Sequence, residues 1–301
     1  MRCYMNKTIS LREAVRLTIL NQHPKPVIAL HEFNEYIFGL YRDKRFDGTP
    51  VGKIQNTEPE GRILTETFSD MLHQGILSPA IDGYVWQISN RDASTAQQQV
   101  CDITPWCHLS CLSAMEWHGL TDRIPHVLHV TQPPLAASRK LHQDYLRSRF
   151  PDLKNAAPML PRKIELAGKI DGKELILHTT SKYRPRPELH GSGGVRVTSL
   201  GETFLDMLRE PALCGGYSHV EDVFRERAAE YLPVIVKAVD RDGTGIDKAR
   251  AGYMLEEVCG LSHRTIEKWK ETVQRGGSRK LISANPYKNV FSEVWCISIN
   301  N

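Results

Sequence analysis

The sequence predicts an α+β protein with an N-terminal winged helix-turn-helix followed by a mixed α+β C-terminal domain. Three observations predict it. Ser/Thr-x-x-Glu capping signals precede apolar residues at helical spacing, an Asp-Gly pair separates two short apolar-alternating stretches, and later helices and strands alternate without a regular βα repeat. No internal repeat or low-complexity tract interrupts this pattern.

The first helix is expected at Ser10, where Ser10 and Glu13 form a capping box and Leu11, Ala14, Val15, Thr18 and Ile19 share one face. His23-Pro24-Lys25-Pro26 breaks it. Pro26 suits a first helical turn, so a second helix is expected from Pro26 to about Arg42, with Leu30, Phe33, Ile37 and Leu40 (or Tyr41) buried. A polar loop through Lys44, Arg45 and Asp47-Gly48 ends it. Thr57 and Glu60 repeat the capping pattern, and Ile63, Leu64, Phe68, Met71 and Leu72 recur at helical spacing until Gly75, which predicts a third helix. Ile76-Leu77 and Tyr84 to Ile88 then flank Asp82-Gly83 as a hairpin. Helix, helix, helix, hairpin is the order of a winged helix-turn-helix.

The polar stretch Asn90 to Gln99 is expected to divide the chain into domains 1–92 and 93–301. Beyond it, helices are expected at Cys107–Trp117, Ala136–Arg149, Glu202–Arg209, His219–Ala229, Ala249–Val258 and Thr265–Val273. Strands are expected at Val127–Val130, near Ile164–Leu166, at Leu175–His178, at Val195–Thr198 and at Val294–Ile299.

Composition bounds the function. Of 301 residues, 41% are hydrophobic and 25% charged, which excludes disordered and fibrous classes. Charged residues interrupt the start before a secretory core builds, and no apolar run approaches about 20 residues, so the expectation is a cytoplasmic protein without membrane contact. Seven cysteines without regular spacing predict reduced thiols. Residues 1–90 hold 10 Lys+Arg against 10 Asp+Glu, 91–190 hold 14 against 10 and 191–301 hold 15 against 15, so the net charge of +4 is central.

Several constellations resemble chemical sites and read better otherwise. Cys101, Cys107, His108, Cys111 and His118 crowd one window but lack paired C-x-x-C spacing, so an apolar face explains them and no metal is expected. Asp240-Arg241-Asp242-Gly243 starts like a calcium loop, yet the later ligands are missing. His190-Gly191-Ser192-Gly193-Gly194 precedes a strand instead of following one, the wrong order for a phosphate loop, and reads as a flexible tip. Arg275-Gly276-Gly277-Ser278-Arg279-Lys280 fits equally an anion-binding nest and a capped helix end. Leu255 to Trp269 has helix-turn-helix spacing but reads rather as a packing pair. Neither a G-x-S-x-G elbow nor an H-E-x-x-H helix is present.

Trp106 to Pro133 contains Cys107-His108-Leu109-Ser110-Cys111-Leu112-Ser113-Ala114, then Trp117-His118-Gly119-Leu120-Thr121-Asp122 and a strand through His126 to Gln132. This resembles the AbiEi family of antitoxins, transcriptional regulators of type IV toxin-antitoxin and viral-defence operons. Val197-Thr198-Ser199 with Thr203-Phe204-Leu205-Asp206 and Arg209 to Gly216, and Arg275 to Lys280 with Trp295 to Asn300, are similar to two later blocks of that family. The similarity spans most of 100–301, and the N-terminal third agrees by architecture only. The resemblance implies a non-enzymatic repressor that binds inverted repeats in its own promoter, with a C-terminal domain that counters a nucleotidyltransferase toxin.

Under that reading, Arg62, Thr65, Glu66, Ser69 and His73 face the major groove, because the apolar residues of the third helix are taken by the core. Arg42, Lys44, Arg45 and Lys53 meet phosphates. Palindromic half-sites imply a homodimer or two copies side by side on double-stranded DNA. Arg275, Ser278, Arg279 and Lys280, with Cys214-Gly215-Gly216, are expected to touch the toxin or an acidic ligand of it. No cofactor is expected. The rival readings are a protein-interaction module that does not bind DNA, favoured by the neutral first third, and a metal-dependent nuclease using Glu165 and Asp171.

Overall fold

A computed structural model describes residues 8–164, 169–271, 273 and 279–301. The chain is α+β and divides into two compact units, and the first returns twice along the sequence. It comprises Met1–Cys107, Gln132–Glu174 and Thr179–Arg196, while the second comprises His108–Thr131, Leu175–His178 and Val197–Asn301. Among the described residues no helix is long and apolar enough to cross a membrane.

The first unit opens with α1 (Leu11–Leu17), whose N-cap Ser10 hydroxyl accepts the Glu13 amide at 3.2 Å. Only that half of the capping box forms, since the Glu13 carboxylate turns to Arg16 at 2.6 Å. A π-helical turn, Thr18–Gln22, carries the helix to His23. The second helix does not start at Pro26. Val27–Ala29 forms strand β1, opposite Gln87, Trp86 and Val85, and α2 then runs Leu30–Asp43. The β-branched pair Val27-Ile28 gains a cross-strand partner that local spacing cannot reveal. Lys44, at φ 50°, ends α2 in the left-handed region. A small ribbon, β2 (Arg45–Phe46) and β3 (Thr49–Pro50), follows.

The third helix, α3, begins at Gly61, not Thr57, and ends at His73. Pro59 explains the delay, because it disfavours helical φ/ψ at Glu58 before it. β4 (Leu77–Ile81) and β5 (Val85–Ile88) form the expected hairpin, with Gly83 at φ 73° in its turn. The sheet order is β1-β5-β4, all antiparallel. Next, α4 (Ala96–Ile103) occupies the stretch expected to divide the domains. Its Thr95–Gln98 capping box closes in both directions, and Ala96, Val100 and Ile103 are buried. Three consecutive glutamines, of which Gln99 is itself buried, disguise that face.

The helix expected from Cys107 is shorter, because His108–Leu109 is strand β6 and α5 spans Cys111–Trp117. β7 (Val127–Gln132), α6 (Leu135–Arg149), β8 (Lys169–Ile170) and β9 (Lys173–Thr179) follow, and the sheet order is β6-β7-β9-β8. Of the strand expected near Ile164–Leu166, residues 165 and 166 lie outside the described residues. Val195–Thr198 contributes one bridge, Val197 to Leu109, and no full strand. The rest of the second unit is α7 (Leu200–Arg209), α8 (Tyr217–Asp242), α9 (Gly245–Gly252) continued by a π-helical stretch to Val258, and α10 (Arg264–Lys270), with β10 (Phe291–Ser292) and β11 (Ile297–Ser298) closing it. The calcium-like stretch is the junction of α8 and α9, where Thr244 caps α9.

Each unit has its own core. In the first, Phe68 of α3 stands edge-on to Phe33 of α2 and Trp86 of β5, with centroids at 5.0 and 4.8 Å. Leu146 of α6, Phe150 and Met159 pack into the same cluster. The second core gathers Phe204, Phe224, Trp269 and Trp295, all fully buried. Met254, Leu255, Ile266 and Trp269 are buried in it, so the 255–269 pair packs as helices on a core.

Candidate nucleic-acid interface

Helix α3 turns Leu64, Thr67 and Met71 fully inward and leaves Ile63, Phe68 and Leu72 half-buried. Thr67 therefore joins a face expected to be wholly apolar. The opposite face carries the residues expected to point into a groove, with Arg62, Thr65 and His73 exposed and Glu66 and Ser69 half-buried. Arg62 Nε lies 3.0 Å from Glu66. Arg12 of α1, which sequence reasoning missed, reaches Asp70 at 2.7 Å and Glu66 at 3.6 Å. Exposed pairs of this kind are worth about 0–1 kcal/mol, so either guanidinium can exchange a carboxylate for a phosphate at small cost. The Thr65 hydroxyl donates to the Gly61 carbonyl at 3.1 Å.

The expected phosphate contacts divide. Lys44, Arg45 and Lys53 are exposed, and Arg45 braces the turn between β2 and β3 by donating to the Gly48 carbonyl at 3.0 Å. Arg42 is held instead. Its guanidinium donates to Asp43 at 2.7 and 2.9 Å and to the Arg149 carbonyl at 2.8 Å, and lies 5.3 Å from the centre of the Phe150 ring. Arg42 and Lys44 share a cleft of about 200 Å³ with Glu58 and Asp152, so its walls are of mixed sign.

Charge changes most between sequence and fold. The first unit holds 24 Lys+Arg against 18 Asp+Glu and the second 15 against 17, because 132–174 and 179–196 bring their cations back to the N-terminal element. The neutral third of the sequence therefore belongs to a unit of net charge +6.

That unit also buries an ionic centre. Lys25 Nζ donates to Glu32 at 2.6 Å and to Asp102, and all three side chains are largely withdrawn from solvent. Burial and the neighbouring Glu32 push the Asp102 carboxyl up to about 8. Glu32, which burial alone would raise, is held down at about 2 by Lys25. Nearby, burial lowers the His31 ring to about 3 and raises the Glu35 carboxyl to about 7, although Glu35 accepts the Tyr145 hydroxyl at 2.9 Å. The glycine stretch expected to be a flexible tip packs onto this centre. At Gly194, φ 97°, a Cβ would fall 2.5 Å from the Lys25 stem, so only glycine fits. Buried Arg196 then donates to the carbonyls of Cys101, Thr104 and Cys107. The charged Lys25 between two prolines was the sequence signal available for this centre.

In the second unit, Arg275 and Ser278 lie outside the described residues. Cys214 is fully buried in the core, so it cannot touch a partner, and burial with the adjacent Cys111 explains it. Gly215 and Gly216 adopt φ 91° and 93°, and Arg123 donates to the Gly215 carbonyl at 2.9 Å. Lys280 Nζ donates to the Asn285 carbonyl at 2.8 Å, and the Arg279 carbonyl accepts the Ser298 amide. Among the described residues no hydrogen bond joins the 214–216 loop to Arg279 or Lys280. His129 and His178 stack with ring nitrogens 3.0 Å apart, and burial lowers His129 to about 4.

Among the described residues no three or more His, Cys, Asp or Glu gather as a metal site would. Of the pair considered for a nuclease, Glu165 lies outside the described residues, and Asp171 sits exposed at φ 48° in the turn between β8 and β9. No known protein family matches the chain, and no curated protein is similar to it.

Proposed function

We propose that the first unit binds duplex DNA through a winged helix-turn-helix formed by α1, α2, α3 and the β4–β5 hairpin, and that the chain represses a toxin-antitoxin operon. The observation that carries the DNA reading is the element order with the β1-β5-β4 sheet, joined to the polar outer face of α3 on a unit with six excess cations. In this geometry α3 lies in the major groove, the hairpin is the wing, and Lys44, Arg45 and Lys53 meet the backbone. Two copies on a palindrome would stand about 34 Å apart. The antitoxin half of the reading, a partner nucleotidyltransferase restrained by the second unit, rests on the family resemblance of residues 100–301.

Retention of the chain's own promoter fragment, measured against salt, tests the DNA reading. The Lys44→Ala/Arg45→Ala double variant should weaken binding on all sequences and flatten the salt slope by about one unit per lost contact. Arg62→Ala should cost about 1–3 kcal/mol on the operator and less elsewhere. Equal losses on operator and random DNA would remove α3 from the groove. Charge reversal at Arg279 and Lys280, scored as survival when the adjacent reading frame is co-expressed, tests the antitoxin half. The carboxylates of α3 favour the alternative of a protein-binding face, for which promoter retention would be salt-insensitive or absent.

A further inference from the structure

The cleft of about 200 Å³ that holds Lys44 and Asp152 opens in the first unit where the C-terminal ends of α2 and α6 meet. Its sides are tied to one another. The Arg42 guanidinium, from the last turn of α2, donates to the Arg149 carbonyl at the end of α6 at 2.8 Å. Phe38 of α2 stands edge-on to Phe150, the C-cap of α6, with centroids 6.4 Å apart. On the third side the Glu58 carboxylate accepts the Lys154 amide, which joins the loop before α3 to the turn after α6. A cleft braced in this way is formed before a ligand arrives, so binding orders few side chains.

Phe38, Tyr41, Phe150 and Leu153 give the cleft an apolar wall. The rest of its lining carries both signs. Lys44 leaves α2 in the left-handed conformation, and Asp152 follows Pro151 in a turn that the Leu153 amide closes on the Phe150 carbonyl at 3.1 Å. Both are exposed, and among the described residues neither side chain has an ion pair or a hydrogen bond. The Tyr41 hydroxyl, on a residue 8% exposed, also has no hydrogen-bond partner among the described residues. A ligand of one sign would be drawn to part of this lining and repelled by the rest. A molecule with an ammonium and a carboxylate on one carbon meets both signs, and its side chain covers the apolar wall. The volume lies below the roughly 300–1,000 Å³ of drug-sized sites, which suits one amino acid and not a peptide.

We propose that this cleft binds a free α-amino acid with an apolar side chain. Its carboxylate lies on Lys44 with the Tyr41 hydroxyl as a neutral donor, its ammonium on Asp152 and Glu58, and its side chain against Phe38 and Phe150. Lys44 is also a backbone contact in the DNA reading, so on that reading the amino acid and the duplex compete for one ammonium group. Amino-acid binding itself is independent of it.

Titration calorimetry on the full chain, at constant ionic strength and without DNA, tests the proposal with L-leucine as the probe. Saturable binding at one site per chain is expected. Isoamylamine and isocaproate, which keep the side chain and lack one charge each, should bind about tenfold more weakly. Lys44→Gln should weaken L-leucine about tenfold and leave isoamylamine unchanged, whereas Asp152→Asn should weaken it by a similar factor and leave isocaproate unchanged. Both positions are exposed, so the thermal midpoint of the unliganded chain should stay at the parent value. Non-saturable heats, isocaproate as tight as L-leucine, or unchanged affinity in both variants overturn the proposal. A second arm measures promoter retention, which L-leucine should lower in the parent and not in Asp152→Asn. Retention unaffected by saturating L-leucine removes the competition at Lys44. Promoter binding absent throughout refutes the DNA reading alone, since the calorimetry decides the amino-acid site without it.

Discussion

Both units close over an apolar core, and the first adds to it a buried ionic network centred on Lys25. The first is assembled from three separated stretches of chain and places Lys25, Glu32, Asp102 and Arg196 inside. The second is mostly one continuous stretch and closes over Phe204, Phe224, Trp269 and Trp295. Apolar contact is non-directional and tolerates alternative packings, whereas a buried charge accepts only a partner at the right place. Of the segments returning to the first unit, 132–174 packs by Leu146, Phe150 and Met159, whereas the end of 179–196 is positioned by Arg196 on the carbonyls of Cys101, Thr104 and Cys107. Within the first stretch, Lys25 and Asp102, 77 residues apart, are joined through the ionic centre.

The strongest test of this contrast is Lys25→Met. It strands the Glu32 carboxylate and leaves the Asp102 carboxyl without its donor, and should lower the stability of the first unit by about 3–5 kcal/mol, read from urea midpoints. Lys25→Met/Glu32→Gln/Asp102→Asn, which removes all three ionisable groups, should recover most of that loss. A single variant that costs under about 1 kcal/mol would end the ionic account.

The counterpart in the second unit is Gly252→Ala. A Cβ there would fall 2.2–2.3 Å from the Trp295 ring, so overpacking should cost about 1–3 kcal/mol or more. Shifted tryptophan fluorescence with an unchanged first unit by hydrogen exchange is the expected pattern. Loss of protection in both units would mean that they do not unfold separately.

Smaller effects come from pH, with opposite signs inside the first unit. His31 is neutral when folded, with its ring at about 3 against an ordinary 6.5, so the unfolded chain takes up the proton first. Its contribution is full above 6.5 and is lost as pH falls, by about 2 kcal/mol at pH 5. Glu35 sits at about 7 against 4.5, so the folded chain keeps its proton longer. That contribution is full below 4.5 and is lost as pH rises through 7. Glu35→Gln should therefore stabilise the chain by about 2 kcal/mol or more at pH 8 and leave it unchanged at pH 4. A variant equally stable to the parent at both values would refute the burial of an ionising Glu35.

Much of the fold was legible. Ser10, Leu30 to Tyr41, Asp82-Gly83, Ala136–Arg149 and Glu202–Arg209 were each readable because a cap, a period or a turn residue acts within a few positions of itself. The outward residues of α3 were legible for the same reason, since assigning its apolar positions to the core leaves Arg62, Thr65 and Ser69 outside. At two candidate positions the surroundings were not legible, because contacts outside the local window set them. Arg42, though exposed, is engaged by Asp43, the Arg149 carbonyl and the Phe150 ring, and Cys214 lies in a core that its glycine-rich sequence context does not announce. The stretch expected to divide the domains reads as polar because Gln97, Gln98 and Gln99 stand together, although six of the eight residues of α4, Gln99 and Asp102 among them, are buried.

The sequence by itself determined most of the helices, the hairpin and the amphipathic face of α3, because those follow from dihedral preference and spacing within one or two turns. Only tertiary structure decided that Val27–Ala29 is a strand, that Lys25 is buried and that the N-terminal element shares a unit of net charge +6. Strand pairing, desolvation and summed charge depend on segments tens of residues apart, and no local window contains both partners.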